Sequence, residues 1–360
     1  MLPRFKSNEH VRSETEGCAR EDRVRQTVTG RRFAVIHQGA LGDFLSALPL
    51  FDGLHESEPG IFIDFWSKAE YGSLLAAKPY LGAVHSRDDP ALTPFYHEQL
   101  WMDAPVPGTL AQAHVIFVFG QSNSRVLARR LAARCGVPVH WIQSFPDPHA
   151  RRHVGRFLAE QLHLLGWRCC TGIPRIDPDG EERRQVRRWL ERWTGDAEAQ
   201  PLVIHPGSGG MKKVWPLKRW WSLVDWLLQR KVGPVVVILG PADDPLKTFA
   251  RATRSRGCLL AEDLSLSRLA AFLAEARLYC GNDSGASHLA AAVGTPSVVV
   301  FGPTDPEVWA PRGPHVHVVQ DCWKESEVLD WDENMPADDP PPAVTNLLDT
   351  LLGSPTQPRP

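Results

Sequence analysis

The eight residues 281–288 carry the densest set of reactive side chains in the chain, in the order Gly-Asn-Asp-Ser-Gly-Ala-Ser-His. They follow the apolar run Ala274–Cys280 and precede a short helical run, so the pattern predicts a loop between a strand and a helix. Main-chain N–H groups at such a helix start suit a phosphate, and the carboxylate of Asp283 could hold sugar hydroxyls. On its own, the segment is equally typical of a solvated turn with a good N-cap.

Two further glycine-rich loops follow strand-like runs elsewhere in the chain. Arg32–Ile36 leads into the loop His37–Asp43. Pro201–His205 leads into the loop Pro206–Gly210, which is followed by Lys-Lys-Val-Trp-Pro at 212–216. One such strand–loop–helix junction is early and two are late, which predicts two α/β units that meet at a shared cleft.

Strand patterns alternate with helical patterns along both halves, which predicts parallel sheets covered by helices. The predicted strands are Phe33–Ile36, Gly60–Phe65, Val84–Ser86, His114–Phe119, Val137–Ile142, Leu202–His205, Val235–Leu239, Cys258–Leu260, Leu278–Cys280 and Ser297–Phe301. A turn-rich break at 174–180 separates two domains. We therefore predict a loose polar tail over 1–30, a first domain over 31–178, a second domain over 179–338, and a C-terminal helix and tail over 339–360.

Composition excludes several classes of protein. The net charge of −2 over 360 residues lacks the excess of basic residues that is typical of a nucleic-acid-binding protein. The seven cysteines are odd in number and lack metal-ligand spacing, which indicates reduced thiols in a cytoplasmic protein. Because no apolar run is long enough to span a membrane and the first thirty residues lack a signal-peptide core, any membrane contact is expected to be peripheral.

Four motifs, taken in order and spacing, resemble the lipopolysaccharide heptosyltransferases of glycosyltransferase family 9. They are Leu41-Gly42-Asp43 with Ala47-Leu48-Pro49, His205-Pro206-Gly207-Ser208 with Lys213-x-Trp215-Pro216, Asn282-Asp283-Ser284-Gly285-x-x-His288-Leu289-Ala290-Ala291, and Phe301-Gly302-Pro303-Thr304-Asp305-Pro306. The resemblance covers residues 33–320 and is strongest in the second half.

The resemblance implies an α/β protein of the GT-B fold, with two facing Rossmann-like domains and a C-terminal helix that crosses back to the first. The first domain would bind the acceptor and the second the nucleotide sugar. The implied reaction moves a heptose from ADP-heptose to a hydroxyl of the inner core on lipid A, with inversion and without a metal or another cofactor. We expect a monomer that works at the cytoplasmic face of the inner membrane.

Two residues would carry the chemistry. Asp43 is the expected general base, because inverting transfer needs one carboxylate near the acceptor hydroxyl. Lys213 is the expected catalytic cation, because the departing diphosphate gains negative charge. Its neighbour Lys212 cannot point inward at the same time. Without the resemblance, Asp43 would be assigned as a helix cap and Lys213 as a surface charge.

The resemblance also implies a set of substrate contacts. Donor contacts are expected from Gly207, Ser208, Gly209, Lys213, Asp283, Ser284, Gly285 and His288. Adenosine contacts are expected from Asp243 and Asp244, although helix capping would explain both acids. Acceptor contacts are expected from His37 and Gly42. Many family members carry a basic residue at the position of His37, so the nature of the acceptor stays open.

Three alternatives remain beside this interpretation. The same fold could use another nucleotide sugar or acceptor, because specificity rests on a few pocket contacts. Gly39-x-x-Gly42 with Asp64 has the shape of a partial dinucleotide fingerprint, which would suit an oxidoreductase, but His37 stands where the first glycine belongs. The third alternative, a non-catalytic homologue that binds sugar nucleotides, is disfavoured by the presence of Asp43 and Lys213.

Overall fold

The computed structural model describes residues 30–335 and 339–353, and it contains two parallel β-sheets flanked by helices. The tail predicted over 1–30 lies outside the described residues except for Gly30. Strands of the first sheet fall between 32 and 143 and those of the second between 202 and 320. The predicted boundary at 178 therefore lies between the sheets, and its position stays a prediction.

The first sheet has the strand order β3-β2-β1-β4-β5. Its strands are β1 (Arg32–His37), β2 (Phe62–Ser67), β3 (Leu81–Ser86), β4 (Val115–Gly120) and β5 (Val139–Gln143). Its helices are α1 (Leu41–Ser57), α2 (Gly72–Leu75), α3 (Gly108–Ala111), α4 (Ser122–Cys135) and α5 (Val154–Leu164). The central strands β1 and β4 are apolar on both faces, as expected for a parallel sheet that helices cover on two sides.

The second sheet has the strand order β11-β10-β9-β6-β7-β8. Its strands are β6 (Leu202–His205), β7 (Val235–Leu239), β8 (Leu259–Glu262), β9 (Leu278–Asn282), β10 (Ser297–Phe301) and β11 (Val316–Gln320). The remaining helices are α6 (Gly180–Thr194), α7 (Leu217–Arg230), α8 (Lys247–Ser255), α9 (Leu266–Glu275), α10 (Gly285–Ala292), α11 (Pro306–Trp309) and α12 (Pro342–Gly353).

The predicted alternation of parallel strands and helices is confirmed, and one strand was missed. β11 pairs with β10 at the edge of the second sheet. Its sequence Val-His-Val-Val-Gln is only partly buried, because an edge strand has a sheet neighbour on one side only. That half-exposed pattern lacks the continuous apolar run by which the central strands were predicted.

The prediction that the C-terminal helix crosses back to the first domain is wrong for the described part of α12. Its buried residues Val344, Leu348 and Leu352 pack in the apolar cluster of the second sheet, together with β6, β7 and β10. Arg230 at the end of α7 forms an ion pair of 3.0 Å with Asp349. The apolar side of α12 thus covers the second domain.

Strand order explains why the glycine-rich loops lie in one cleft. In the first sheet the direction of winding reverses between β1 and β4, and the loop 38–40 follows β1. In the second sheet it reverses between β6 and β9, and the loops after Asn282 and His205 follow these two strands. Ligands of open α/β sheets bind beyond the carboxyl ends of the strands at such reversals. All three loops therefore face binding positions.

The two domains meet where α1 and α10 begin. A Cβ atom on Gly42 would lie 3.1 Å from the His288 ring, and one on Gly285 would lie 2.9 Å from Cβ of Leu41. Glycine at both positions permits this close approach. Apolar side chains of α1 and α10 continue in one buried cluster beneath the contact.

Candidate active site

Asp43 lies in the first turn of α1, at the edge of the interdomain cleft. Its Oδ2 accepts a hydrogen bond of 2.9 Å from the main-chain N–H of Ala40, which fixes the carboxylate at the helix start. Burial raises the pKa of Asp43 above its ordinary value of 3.8, and the negative charge of Asp283 adds to this rise. The Ala40 hydrogen bond and the cation of Lys213 oppose it. The first domain thus presents a carboxylate whose proton affinity depends on charges of the second domain.

Lys213 and Asp283 form the charged centre of the second domain. Nζ of Lys213 lies 2.8 Å from Oδ2 of Asp283, and Asp283 is buried. Thr304 donates a second hydrogen bond, also of 2.8 Å, to the same Oδ2. Lys212 is exposed, as its predicted outward orientation requires. The Asp283 carboxylate therefore has one oxygen held by two donors.

Asn282 joins the two loops of the second domain. Its Nδ2 donates a hydrogen bond of 2.6 Å to the carbonyl of Pro206, and its Oδ1 accepts one of 3.1 Å from the N–H of Trp215. The hydroxyl of Ser208 donates a hydrogen bond of 2.7 Å to the main-chain carbonyl of Asp283, which is a further contact between the same loops. Asn282 and Thr304 were not among the predicted site residues. Both stand inside the quoted motifs, which were the only signal for them.

The predicted donor residues at the start of α10 lie beside Lys213 and Asp283. Ser284 is the N-cap of α10, where its Oγ accepts from the N–H of Ser287 at 3.4 Å. His288 is buried one turn later, and burial lowers its pKa to about 4, although Asp283 opposes the shift. The imidazole is therefore neutral at pH 7 and can donate one N–H.

The adenosine contact of Asp243 stays a prediction; the side chain is only 4% exposed and its carboxylate is bound by groups of the protein. Oδ2 of Asp243 accepts a hydrogen bond of 2.7 Å from the N–H of Gly240 and lies 3.1 Å from Nε2 of His205. A Cβ atom on Gly207 would overlap the same carboxylate, so glycine is required there. Asp243 thus supports the Gly207 loop. Asp244 is exposed and pairs with Lys247 at 2.6 Å, and its contact with adenosine stays a prediction.

The acceptor contact of His37 likewise stays a prediction. Its side chain is buried, with the ring packed against Phe44 and Phe119, and burial lowers its pKa to about 3. Its Nδ1 accepts a hydrogen bond of 3.3 Å from the N–H of Gly39. A neutral ring would not attract an anionic acceptor by charge. His37 also supports the loop that carries Asp43, while Gly42 lies at the domain contact.

Together these residues place a carboxylate on one side of the cleft and a cation on the other. Lys213 and Asp283 are close enough to Asp43 for their charges to shift its pKa. Among residues 30–335 and 339–353, no group of three or more His, Cys, Asp or Glu side chains is arranged to hold a metal ion. The arrangement suits transfer of a group from a diphosphate to a hydroxyl.

Comparison with known proteins identifies the family. The sequence profile of glycosyltransferase family 9 (heptosyltransferase) matches residues 147–334. The lipopolysaccharide heptosyltransferase 1 of Pseudomonas aeruginosa is 32% identical over 305 residues, which cover 76% of this chain and 79% of that protein. The chain belongs to glycosyltransferase family 9.

Solved structures support the family fold. The glycosyl transferase family 9 protein of Veillonella parvula aligns with a TM-score of 0.68 and 18% identity, over 89% of this chain and 97% of that one. The ADP-heptose LPS heptosyltransferase II of Escherichia coli aligns with a TM-score of 0.66 and 18% identity, over 89% and 98%. This family 9 glycosyltransferase therefore has the predicted GT-B fold.

Proposed function

We propose that this family 9 glycosyltransferase moves a heptose from ADP-heptose to a hydroxyl of the lipopolysaccharide inner core on lipid A. The proposal rests on one arrangement: Asp43 of the first domain interacts with the charges of the Lys213–Asp283 pair of the second, so that acceptor and donor would bind on opposite sides of the cleft. The donor follows from the name of the E. coli relative and from the diphosphate-compatible loops of the second domain.

The proposed reaction is a single displacement with inversion. Asp43 accepts the proton of the acceptor hydroxyl as that oxygen attacks the anomeric carbon. The bond between this carbon and the β-phosphate oxygen breaks, a new glycosidic bond forms, and ADP leaves with the bonding electrons. Attack from the first domain on a sugar held by the second places the base and the leaving group on opposite faces of the ring, which is the geometry of inversion.

Protein groups would stabilise the leaving diphosphate in place of a metal. Lys213 supplies the cation, while Ser208, Gly209 and the start of α10 supply hydroxyl and N–H donors. Asp283 would accept from heptose hydroxyls through its second oxygen. Lys213 would then exchange part of its contact with Asp283 for the β-phosphate when the donor binds.

The proposed acceptor also determines where in the cell the enzyme would act. Because lipid A is anchored in the inner membrane, the enzyme has to meet it at the cytoplasmic face, as a monomer in peripheral contact with the bilayer. No helix within the described ranges is long and apolar enough to cross a membrane. Another sugar on ADP remains the second candidate, because heptose itself would be recognised by only a few hydroxyl contacts.

ADP should raise the melting temperature of the protein, whereas NAD and UDP should not. A ligand that binds only the folded state stabilises it by about 2.7 kcal/mol at a hundred times its dissociation constant. The measurement is a thermal melt with each nucleotide, followed by mass spectrometry of products from ADP-heptose and an inner-core acceptor. Stabilisation by NAD or UDP alone would contradict the proposed donor.

Thr304→Val should raise KM for ADP-heptose about tenfold, because a hydrogen bond to a charged group contributes about 1.5 kcal/mol or more. Valine keeps the shape of the side chain but leaves Asp283 Oδ2 with Lys213 alone. Affinity for ADP, which lacks the sugar, should stay unchanged in the same variant. Thr304→Ser keeps the hydroxyl and serves as the control. Equal weakening of ADP and ADP-heptose would show that Thr304 does not act through the sugar.

A further inference from the structure

Helix α4 presents four arginines and carries no acidic residue. Within the described part of the chain, Arg125, Arg129, Arg130 and Arg134 form no ion pair. Arg130 and Arg134 donate hydrogen bonds of 2.9 Å to the main-chain carbonyls of Phe95 and Ala104, and Arg125 lies over the ring of Trp141. These contacts orient the guanidinium groups without neutralising their charge.

Another arginine-rich helix shows that pairing is available elsewhere on this surface. On α6, Arg184 and Arg188 both bind Glu181, at 2.8 and 3.1 Å. Arg183 and Arg187 of the same helix bind Glu275 of α9. The unneutralised charge of α4 is therefore a distinct feature of that helix.

Large apolar side chains are exposed beside these arginines. In the adjoining segment 96–102, Tyr96 is 43% exposed, Leu100 is 59% exposed and Met102 is 48% exposed. Val126 of α4 is 42% exposed, and Trp101 lies under the Arg130 guanidinium. The acids Glu98 and Asp103 reduce the charge of this region, but the four arginines still outnumber them. We call α4 with residues 96–103 the α4 face.

We infer that the α4 face docks on an anionic lipid bilayer. Unpaired arginines are attracted to the negative headgroups, and the exposed side chains of Leu100, Met102 and Tyr96 insert at the boundary between headgroups and acyl chains. Charge complementarity and the aromatic-aliphatic composition both favour a bilayer over a soluble polyanion, which would not contact the apolar side chains.

The α4 face adjoins the loop that carries Asp43. Ser124, in the first turn of α4, donates a hydrogen bond of 2.8 Å to the side-chain oxygen of Gln38. The side-chain nitrogen of Gln38 donates to the hydroxyl of Tyr96. Arg87 donates to the carbonyl of Gln38, and an open cavity of about 460 Å³ lies among Gln38, Arg87 and Tyr96. If the proposed function holds, the bilayer contact places a lipid-linked acceptor next to this cavity; this step rests on that function.

Vesicle binding tests the inference directly. The full chain is sedimented with vesicles of phosphatidylcholine alone and with vesicles of equal parts phosphatidylcholine and phosphatidylglycerol. Binding should require phosphatidylglycerol and weaken with salt. Arg125→Gln with Arg129→Gln should lower the partition coefficient about 25-fold, because each arginine near an anionic surface contributes about fivefold. The matched control, Arg184→Gln with Arg188→Gln, should bind as the unaltered protein does.

Two outcomes would overturn the docking surface: no preference for phosphatidylglycerol, or equal loss of binding in both double variants. A water-soluble acceptor without acyl chains separates this result from the proposed function. The α4 variant should transfer to that acceptor at the normal rate. If the unaltered protein fails to transfer heptose yet binds anionic vesicles through α4, the proposed function is wrong and the docking surface stands.

Discussion

Asp43→Asn should reduce transfer by about a hundred- to ten-thousand-fold, the usual effect of removing a general base. Asparagine has the size of aspartate and its side-chain oxygen can still accept from the N–H of Ala40, so the start of α1 should survive. Affinity for ADP-heptose should change little, because the donor groups lie on the other domain. A product assay paired with a donor titration measures both effects.

The pH profile provides a second test of Asp43. The base acts only when ionised, so kcat/KM should fall as the pH drops through a pKa that burial raises above 3.8. Asp43→Asn should lose this acid limb along with its activity. If Asp43→Asn retains near-normal rates, the carboxylate is a helix cap and another group takes the proton.

Lys213→Ala should slow transfer by about two to three orders of magnitude, since one preorganised donor to a leaving group contributes about 2.7–4 kcal/mol. Lys212→Ala is the matched control. Its side chain is exposed, and alanine preserves the hydrogen bond that its main-chain carbonyl accepts from the indole N–H of Trp323. Single-turnover rates at saturating ADP-heptose separate this loss from weaker binding.

The Lys213 variant should also move the acid limb of the remaining activity to higher pH. The cation of Lys213 lowers the pKa of Asp43, so its removal raises that pKa further. Asp283→Asn should shift the limb the other way, because the charge of Asp283 raises the pKa of Asp43. Equal rate losses in the Lys212 and Lys213 variants would mean that neither lysine faces the diphosphate.

Local patterns were sufficient for the parallel α/β architecture, whereas the site residues were predicted from the family resemblance. Continuous apolar runs such as Val235–Leu239 predicted buried parallel strands with correct ends. The spacing from Lys213 to Trp215-Pro216 selected which of two adjacent lysines turns inward, and the structure pairs Lys213 with Asp283. The first inference depends on short-range order in the sequence, and the second on the family resemblance.

Burial and partner choice could not be predicted in the same way. His37 ends a buried strand and Asp243 follows one, as ligand-binding residues often do, but each is enclosed by contacts made only after folding. His205 stands 38 positions before its partner Asp243, and Phe119 lies far from His37 in sequence. The final helix was misplaced for the same reason: its amphipathic pattern shows an apolar side but not which domain that side will cover.

The contact of Gly42 with His288 and of Gly285 with Leu41 also limits how a bulky substrate can travel. These helix starts touch, and behind them Ser46, Leu50 and His153 line a small cavity. On the proposed function, a long glycolipid would reach Asp43 from the side of Gln38 and Tyr96, where an open cavity lies. The lengthened product would then leave by the same side on which the acceptor entered, without passing between the domains.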